Sequence, residues 1–255
     1  MPRPTKKVIL FIVEGNSDRQ SLERPIQNFL QNIDKEIEAT FLVAKGDITS
    51  DSRISPENIE DKLNRYYFQP FFSANEFYYP KDIIEVVQIC DLDGTFIPDN
   101  YCREFDANHS IEDGFLYDPP YIYGESQQSV IDRNRRKAEN IKHLLSLNSI
   151  KVKSKKRPYS VYFFSSNIDH YLHNKLNLSA REKILVADSF ADKCDDEPEW
   201  FIKQMHQPSL AIENMSNIES WEYIMKNCNS IERHTNFNLY LDRLFTILNT
   251  ENTDT

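Results

Sequence analysis

Acidic residues stand in tight pairs at several points of this 255-residue chain, each just after an apolar run. Glu14 follows Lys7 to Val13 (KVILFIV), with Asp18 one short turn later. Asp91 and Asp93 follow Ile83 to Cys90 (IIEVVQIC), in Asp91-Leu92-Asp93-Gly94. Asn167 and Asp169 follow Val161 to Phe164 (VYFF). Carboxylates crowded together repel unless a cation neutralises them. Hard oxygen donors in this number suit Mg²⁺ or Mn²⁺ rather than zinc. Alternation along a strand puts residues i and i+2 on one face, so Asp91 and Asp93 can share one ion. One or two such ions beside cationic side chains suit phosphodiester hydrolysis, with the metal orienting a water and offsetting charge on the leaving oxygen. Each pair also has a plain structural reading. Glu14 and Asp18 could cap a helix start, and Asp91 and Asp93 could belong to a turn after a strand.

The elements that must position these groups are legible in part. KVILFIV, Ala39 to Ala44 (ATFLVA), IIEVVQIC and VYFF are short, continuous and rich in β-branched or aromatic residues, as in strands buried in a parallel sheet. Leu22, Ile26 and Leu30 predict a helix from about Asp18 to Asn32, and Ser55-Pro56-Glu57 opens another to about Tyr67. Arg133 to Leu147 reads as an amphipathic helix, and Ile168 to Leu178 as a further one. Phe96 to Gln128 has no sustained period and reads as a long loop. The final 75 or so residues read as mostly helical. Strands alternating with helices imply an α/β core, with a mainly parallel four-stranded sheet flanked by helices and a helical C-terminal extension. In such sheets ligands sit at the carboxyl ends of the strands, which is where the acids fall. The division expected is a catalytic domain over 1–178, with an insertion at 96–128, and a helical region over 179–255.

Composition removes several classes. With 5 glycines the chain has no G-x-x-x-x-G-K-[ST] cradle, no G-x-G-x-x-G fingerprint and no G-x-S-x-G elbow. Cys90, Cys102, Cys194 and Cys228 lack C-x-x-C spacing, which disfavours a zinc site or disulfide framework and makes a reducing cytoplasm the expected compartment. No apolar run is long enough to span a bilayer. The net charge of -10 argues against a general nucleic-acid coat. Its distribution is uneven, however. Arg133 to Arg157 holds ten Lys+Arg against one acid, leaving the rest of the chain at -19. Arg133, Arg135, Arg136, Lys153, Lys155, Lys156 and Arg157 are therefore candidate contacts to a phosphate backbone; a solvated face is the plain alternative.

Val13-Glu14-Gly15-Asn16-Ser17-Asp18 and Asp91-Leu92-Asp93-Gly94, in that order after separate strands, resemble the Toprim domain of topoisomerases, bacterial primases and several nucleases. The resemblance spans roughly residues 7–175. It implies a Rossmann-like core, Glu14, Asp91 and Asp93 as Mg²⁺ ligands, Asp18 as an accessory acid and Glu14 as a general base. Ser165 to Leu172 is similar to a segment of small stand-alone Toprim-like proteins in bacterial anti-phage (abortive infection) loci. That implies a nuclease effector with a DNA or RNA substrate, restrained by a partner ATPase of ABC or AAA type, with Asn167 and Asp169 as accessory site residues.

Two other readings compete. Asp91 to Thr95 (DLDGT) also resembles the nucleophile motif of haloacid-dehalogenase-type phosphatases. That would make Asp91 the nucleophile, Ser165 a phosphate ligand, Lys175 or Lys183 the family's lysine and Asp195-Asp196 its late acidic pair. The third reading is a non-catalytic Toprim-like scaffold that docks a partner through Tyr101, Phe105, Phe115, Tyr117, Tyr121 and Tyr123.

Overall fold

A computed structural model describes residues 6–43, 46–106 and 114–251. The chain is α/β, with a mixed five-stranded sheet flanked by helices. Strand β1 (Lys7–Val13) pairs in parallel with β2 (Ile37–Val43) on one side and β3 (Ile83–Asp91) on the other. Beyond β3, β8 (Lys155–Phe164) is also parallel, and β7 (Ser149–Val152) closes that edge antiparallel. The order is β2-β1-β3-β8-β7, so the four parallel strands expected from sequence carry an antiparallel fifth. The reason β7 was not expected lies in its surroundings. Most of the run Lys151-Val152-Lys153-Ser154-Lys155-Lys156 faces water, and a hairpin at a sheet edge needs little apolar character to pair.

The apolar strands are buried on both faces, as their composition demands. Val8, Leu10 and Ile12 point into one cluster, and Ile9, Phe11 and Val13 into a second on the opposite face. Helix α1 (Asn16–Ile33) covers the second cluster through Leu22, Ile26 and Leu30. The first is covered by α2 (Ile59–Leu63), a π-helical turn at Asn64–Phe68 and α3 (Gln69–Ala74). The helix expected after Ser55 therefore starts four residues later and runs on past Tyr67. Because α1 and α2–α3 lie on opposite faces, the crossovers diverge at the carboxyl ends of β1 and β3. That crevice is the topological switch point of the sheet.

The segment 96–128 is not a structureless loop. Its described residues form a second sheet, order β4-β6-β5, from Cys102–Glu104, Tyr121–Gly124 and Phe115–Asp118. Ala44 and Lys45, and 107–113 within the segment, lie outside the described residues. Helix α4 (Gln127–Leu145) begins six residues before the expected start, with Ser126 as its N-cap. It ties the two sheets together: Val130 and Ile131 pack under the small sheet, while Ile141 and Leu144 pack on the large one.

After β8 come α5 (Ile168–His173), α6 (Ala180–Asp196), α7 (Pro198–Met205), α8 (Asn217–Ile224) and α9 (Phe237–Glu251). Trp221 and Ile224 enter the first cluster; Phe190, Phe201 and Tyr240 enter the second. The C-terminal residues also cover β8 beyond the reach of β7. The Asn236 side chain accepts from Phe163 N at 2.8 Å, and Trp221 Nε1 donates to Val161 O at 3.2 Å.

Candidate active site

The carboxyl ends of β1, β3 and β8 open into one cleft of about 370 Å³ lined by Glu14, Asp18, Asp91, Asp93, Asn167 and Asp169. The six acidic and amide candidates that follow β1, β3 and β8 are thus brought to one place, whereas Asp195 and Asp196 are not among the residues that line it. Asp47, Lys175 and Lys183 line it too.

Glu14 leaves the end of β1 beside Asp91, whose backbone N–H donates to Glu14 Oε1 at 3.2 Å. The capping reading of Asp18 holds: Oδ2 accepts from Gly15 N at 2.7 Å, in the third position of α1. Its side chain nevertheless lines the cleft. Asp91 Oδ1 accepts from Ile168 N at 3.1 Å, at the start of α5. Asn167 caps that helix, accepting from His170 N at 2.8 Å.

Asp93 corrects the alternation argument. The strand ends at Asp91, and Asp93 has φ 49°, so the chain has already turned. Gly94 follows at φ 66°, where a Cβ would lie 2.6 Å from Ile122 Cδ1. This tight turn brings Asp93 into a triad with Glu14 and Asp47, whose oxygens lie within 4.8 Å of one another. That spacing could hold a metal ion. Lys137 Nζ already lies among these oxygens, 2.7 Å from Asp93 Oδ2, 2.8 Å from Asp47 Oδ2 and 3.4 Å from Glu14 Oε1. The Lys137 side chain is 0% exposed. Arg133, one turn earlier on α4, donates from Nη1 to Asp93 O at 3.2 Å and lies over the Phe115 ring.

The electrostatics follow from burial and crowding. Burial raises the Glu14 carboxyl well above its usual range, and Asp47 adds to this while Lys137 opposes it. Asp91 is also raised well above, by burial and then by Asp18 and Asp93. Asp18 is raised by burial against the pull of Gly15 N–H. Asp47 goes the other way: burial would raise it, but Lys137 and hydroxyl donors outweigh that and lower it. Asp169 is pushed up to about 6, chiefly by burial, with Lys183 opposing and Asp18 adding.

The basic segment does not form one patch. Arg133 and Lys137 are buried against the acids. Arg135 pairs with Asp99 at 2.7 Å, and Arg136 donates to Ser50 O. Lys153 to Arg157 sit at the β7–β8 turn and the first residues of β8. Ten residues of strand, roughly 30 Å, separate Lys155 from the carboxyl end of β8. Arg157 is spent on Pro80 O, and Lys153 lies over Phe72. Proximity in sequence had joined two groups that the sheet holds at opposite ends. Among the described residues, the cations that line the cleft are Lys175 and Lys183, outside that segment.

Asp47 and Lys137 are the site residues the sequence reading did not single out. Asp47 had a signal: it follows β2 as Glu14 follows β1. Lys137 had none beyond its place in a basic helix, because its three partners lie 44 to 123 residues away. No family model, curated protein or solved structure matches this chain.

Proposed function

We propose that this cleft is the active site of a divalent-metal-dependent phosphodiesterase, a nuclease of Toprim type. The observation that carries the reading is the convergence of six carboxylates (Glu14, Asp18, Asp47, Asp91, Asp93 and Asp169) in one cleft at the switch point of an α/β sheet. The donor set is all oxygen, which fits Mg²⁺ or Mn²⁺. An orphaned, buried oxygen supports the fit: Asp169 is 2% exposed and its Oδ1 has no hydrogen-bond partner. The resemblance nominates Glu14, Asp91 and Asp93 as ligands. A bound ion would supply Lewis-acid stabilisation of a phosphoryl oxygen and an activated water.

The chain's own groups do the remaining work. Lys183 and Lys175, at the cleft wall, attract and orient an anionic phosphodiester. Glu14, which the resemblance nominates as general base, stands at the end of β1 against the Asp91 backbone N–H, at the mouth where a water would be activated. Asp91 is oriented by Ile168 N–H, and Asp93 by its turn and by Lys137. A nucleic-acid substrate would be held at this mouth, and not along Lys153 to Arg157. The proposed effector role, in anti-phage defence under a partner ATPase, rests on the resemblance of Ser165 to Leu172. Co-purification with an ABC- or AAA-type ATPase encoded beside it supports that role; its absence in a native pull-down counts against it. Among the described residues no helix is long and apolar enough to cross a membrane.

The aspartyl-phosphate reading keeps one favourable observation, Lys183 beside Asp91 in the cleft. It has less support elsewhere. Ser165 donates to Glu232 O and accepts from His234 N, so its hydroxyl is committed to the C-terminal segment. Asp195, at the end of α6, pairs with Arg24. The test is cleavage of DNA and RNA with Mn²⁺ by Glu14→Gln, Asp91→Asn and Asp93→Asn. Each is expected to lose at least ~100-fold in rate; undiminished cleavage in all three overturns the proposal.

A further inference from the structure

The six carboxylates fall into two groups that differ in how they are neutralised. Glu14, Asp47 and Asp93 surround Lys137, whose ammonium has three N–H donors and three carboxylate partners at 2.7, 2.8 and 3.4 Å. That group has its cation in place, although Asp47 Oδ2 meets Lys137 as an ion pair without a hydrogen bond. Its cation is also held firmly. Lys137 lies near the middle of α4, whose N-terminal half is anchored under the small sheet by Val130 and Ile131. Its C-terminal half is anchored on the large sheet by Ile141 and Leu144. Arg133 reinforces the group at 4.0 Å from Asp93 Oδ2.

Asp18, Asp91 and Asp169 make up the second group, and among the described residues no buried cation sits in it. Among the described residues no cation lies within ion-pair distance of Asp18 or Asp91. The nearest ion pair is Lys183 to Asp169 Oδ2, and it is long, at 3.9 Å. Asp91 Oδ1 is fixed by a backbone N–H group, leaving that carboxylate a second oxygen, while Asp18 accepts from Gly15 N at Oδ2 and from Ser17 Oγ at Oδ1. Asp169 Oδ1, buried and lining the cleft, has no partner at all. Two buried carboxylates and a partly buried one against one half-exposed ammonium is a deficit of positive charge. Buried charge is tolerated only when paired or metal-bound.

We propose that Lys137 is a resident cation that fills one of two cation positions in the cleft, so that the protein takes a single divalent ion on the Asp18–Asp91 side. This rests on the metal-dependent reading above and deepens it. Asp93 and Asp47 then act by positioning Lys137, and Glu14, with one oxygen turned to Lys137, lies at the boundary between the two groups. Two-ion phosphodiesterases place a second divalent ion beside the first; here a lysine ammonium holds that second charge permanently.

The number of ions is directly countable. Mn²⁺ titrated into the full chain, with free Mn²⁺ followed by electron paramagnetic resonance, is expected to show one bound ion per chain. Lys137→Ala is expected to show two. Two ions in the unsubstituted protein, or one in both proteins, overturns the proposal while leaving the metal-dependent reading standing. No bound Mn²⁺ in either overturns both. If Lys137→Ala does not fold, two other variants decide. Asp91→Asn should weaken Mn²⁺ binding by at least ~100-fold, and Asp47→Asn by no more than about threefold; the reverse order places the ion at the triad and refutes the proposal.

Discussion

Replacing Lys137 with Met keeps most of the side-chain volume and removes the charge. The Lys137 side chain is 0% exposed and touches Glu14, Asp47 and Asp93. Breaking a buried ion pair by removing one partner typically costs about 3–5 kcal/mol, because the other charge is left uncompensated. Three carboxylates are left here, with Arg133 at 4.0 Å from one of them as partial relief. For a chain of this size the loss converts to a fall in Tm of roughly 6–20 °C. The pH dependence follows from the directions of the shifts. The Lys137 pKa is raised well above its ordinary 10.5, so its contribution is fully present below pH 10.5 and disappears only as pH rises through the folded-state value. Asp47 is lowered from 3.8, so its share is present above that pH and disappears as pH falls through its folded-state value. The native protein should therefore keep this stabilisation from about pH 4 to pH 10. In Lys137→Met the orphaned carboxylates take up protons, so the deficit is largest near pH 8 and shrinks toward pH 5. Urea unfolding in chelator at both pH values measures it. A deficit below ~1 kcal/mol at pH 8, or one that grows on acidification, refutes the assignment of Lys137 as the cation holding this cluster together.

Other consequences are as direct. Asp169 has its carboxyl raised to about 6 from 3.8, so the folded state binds a proton that the unfolded state has released between those values. Its ionised form therefore costs stability above pH 6, at most ~3 kcal/mol at 1.36 kcal/mol per unit, and the cost disappears as pH falls toward 4. Asp169→Asn should raise Tm at pH 8 in chelator and change little at pH 4; a lower Tm at pH 8 contradicts this. Gly94→Ala places a Cβ 2.6 Å from Ile122 and 3.2 Å from Ile231 at φ 66°, and should cost about 2–4 kcal/mol in chemical denaturation. Stability within 0.5 kcal/mol of the parent, roughly the scatter of surface substitutions, argues against that turn geometry. Lys183→Ala should raise KM for a phosphodiester and reduce its salt dependence more than it lowers kcat; an unchanged KM removes Lys183 from substrate binding.

The strands that end in the acids were the most legible part of the fold. KVILFIV and most of IIEVVQIC pack on both faces of the sheet, so they are largely apolar, and the acid that follows each run marks where the strand leaves the core. Glu14 and Asp91 could be placed for that reason. The short strands of the second sheet gave no comparable signal, because Phe115, Leu116 and Tyr117 are half-buried and show no alternation. The basic segment misled for a related reason. Charge density along the chain says nothing of what each side chain meets, and Lys137 meets carboxylates from three different loops. Its burial is a product of tertiary packing, and no local pattern distinguishes it from Lys142 on the same helix.

We propose that the cleft hydrolyses phosphodiesters with a divalent ion. Hydrolysis of bis(p-nitrophenyl) phosphate and of p-nitrophenyl phosphate, each with Mn²⁺ and then with excess chelator, tests it most directly. The diester is expected to be cleaved with Mn²⁺, chelator to abolish cleavage, and Asp91→Asn to abolish it with Mn²⁺ present. Turnover of the monoester alone, or diester cleavage that survives chelation, would contradict it.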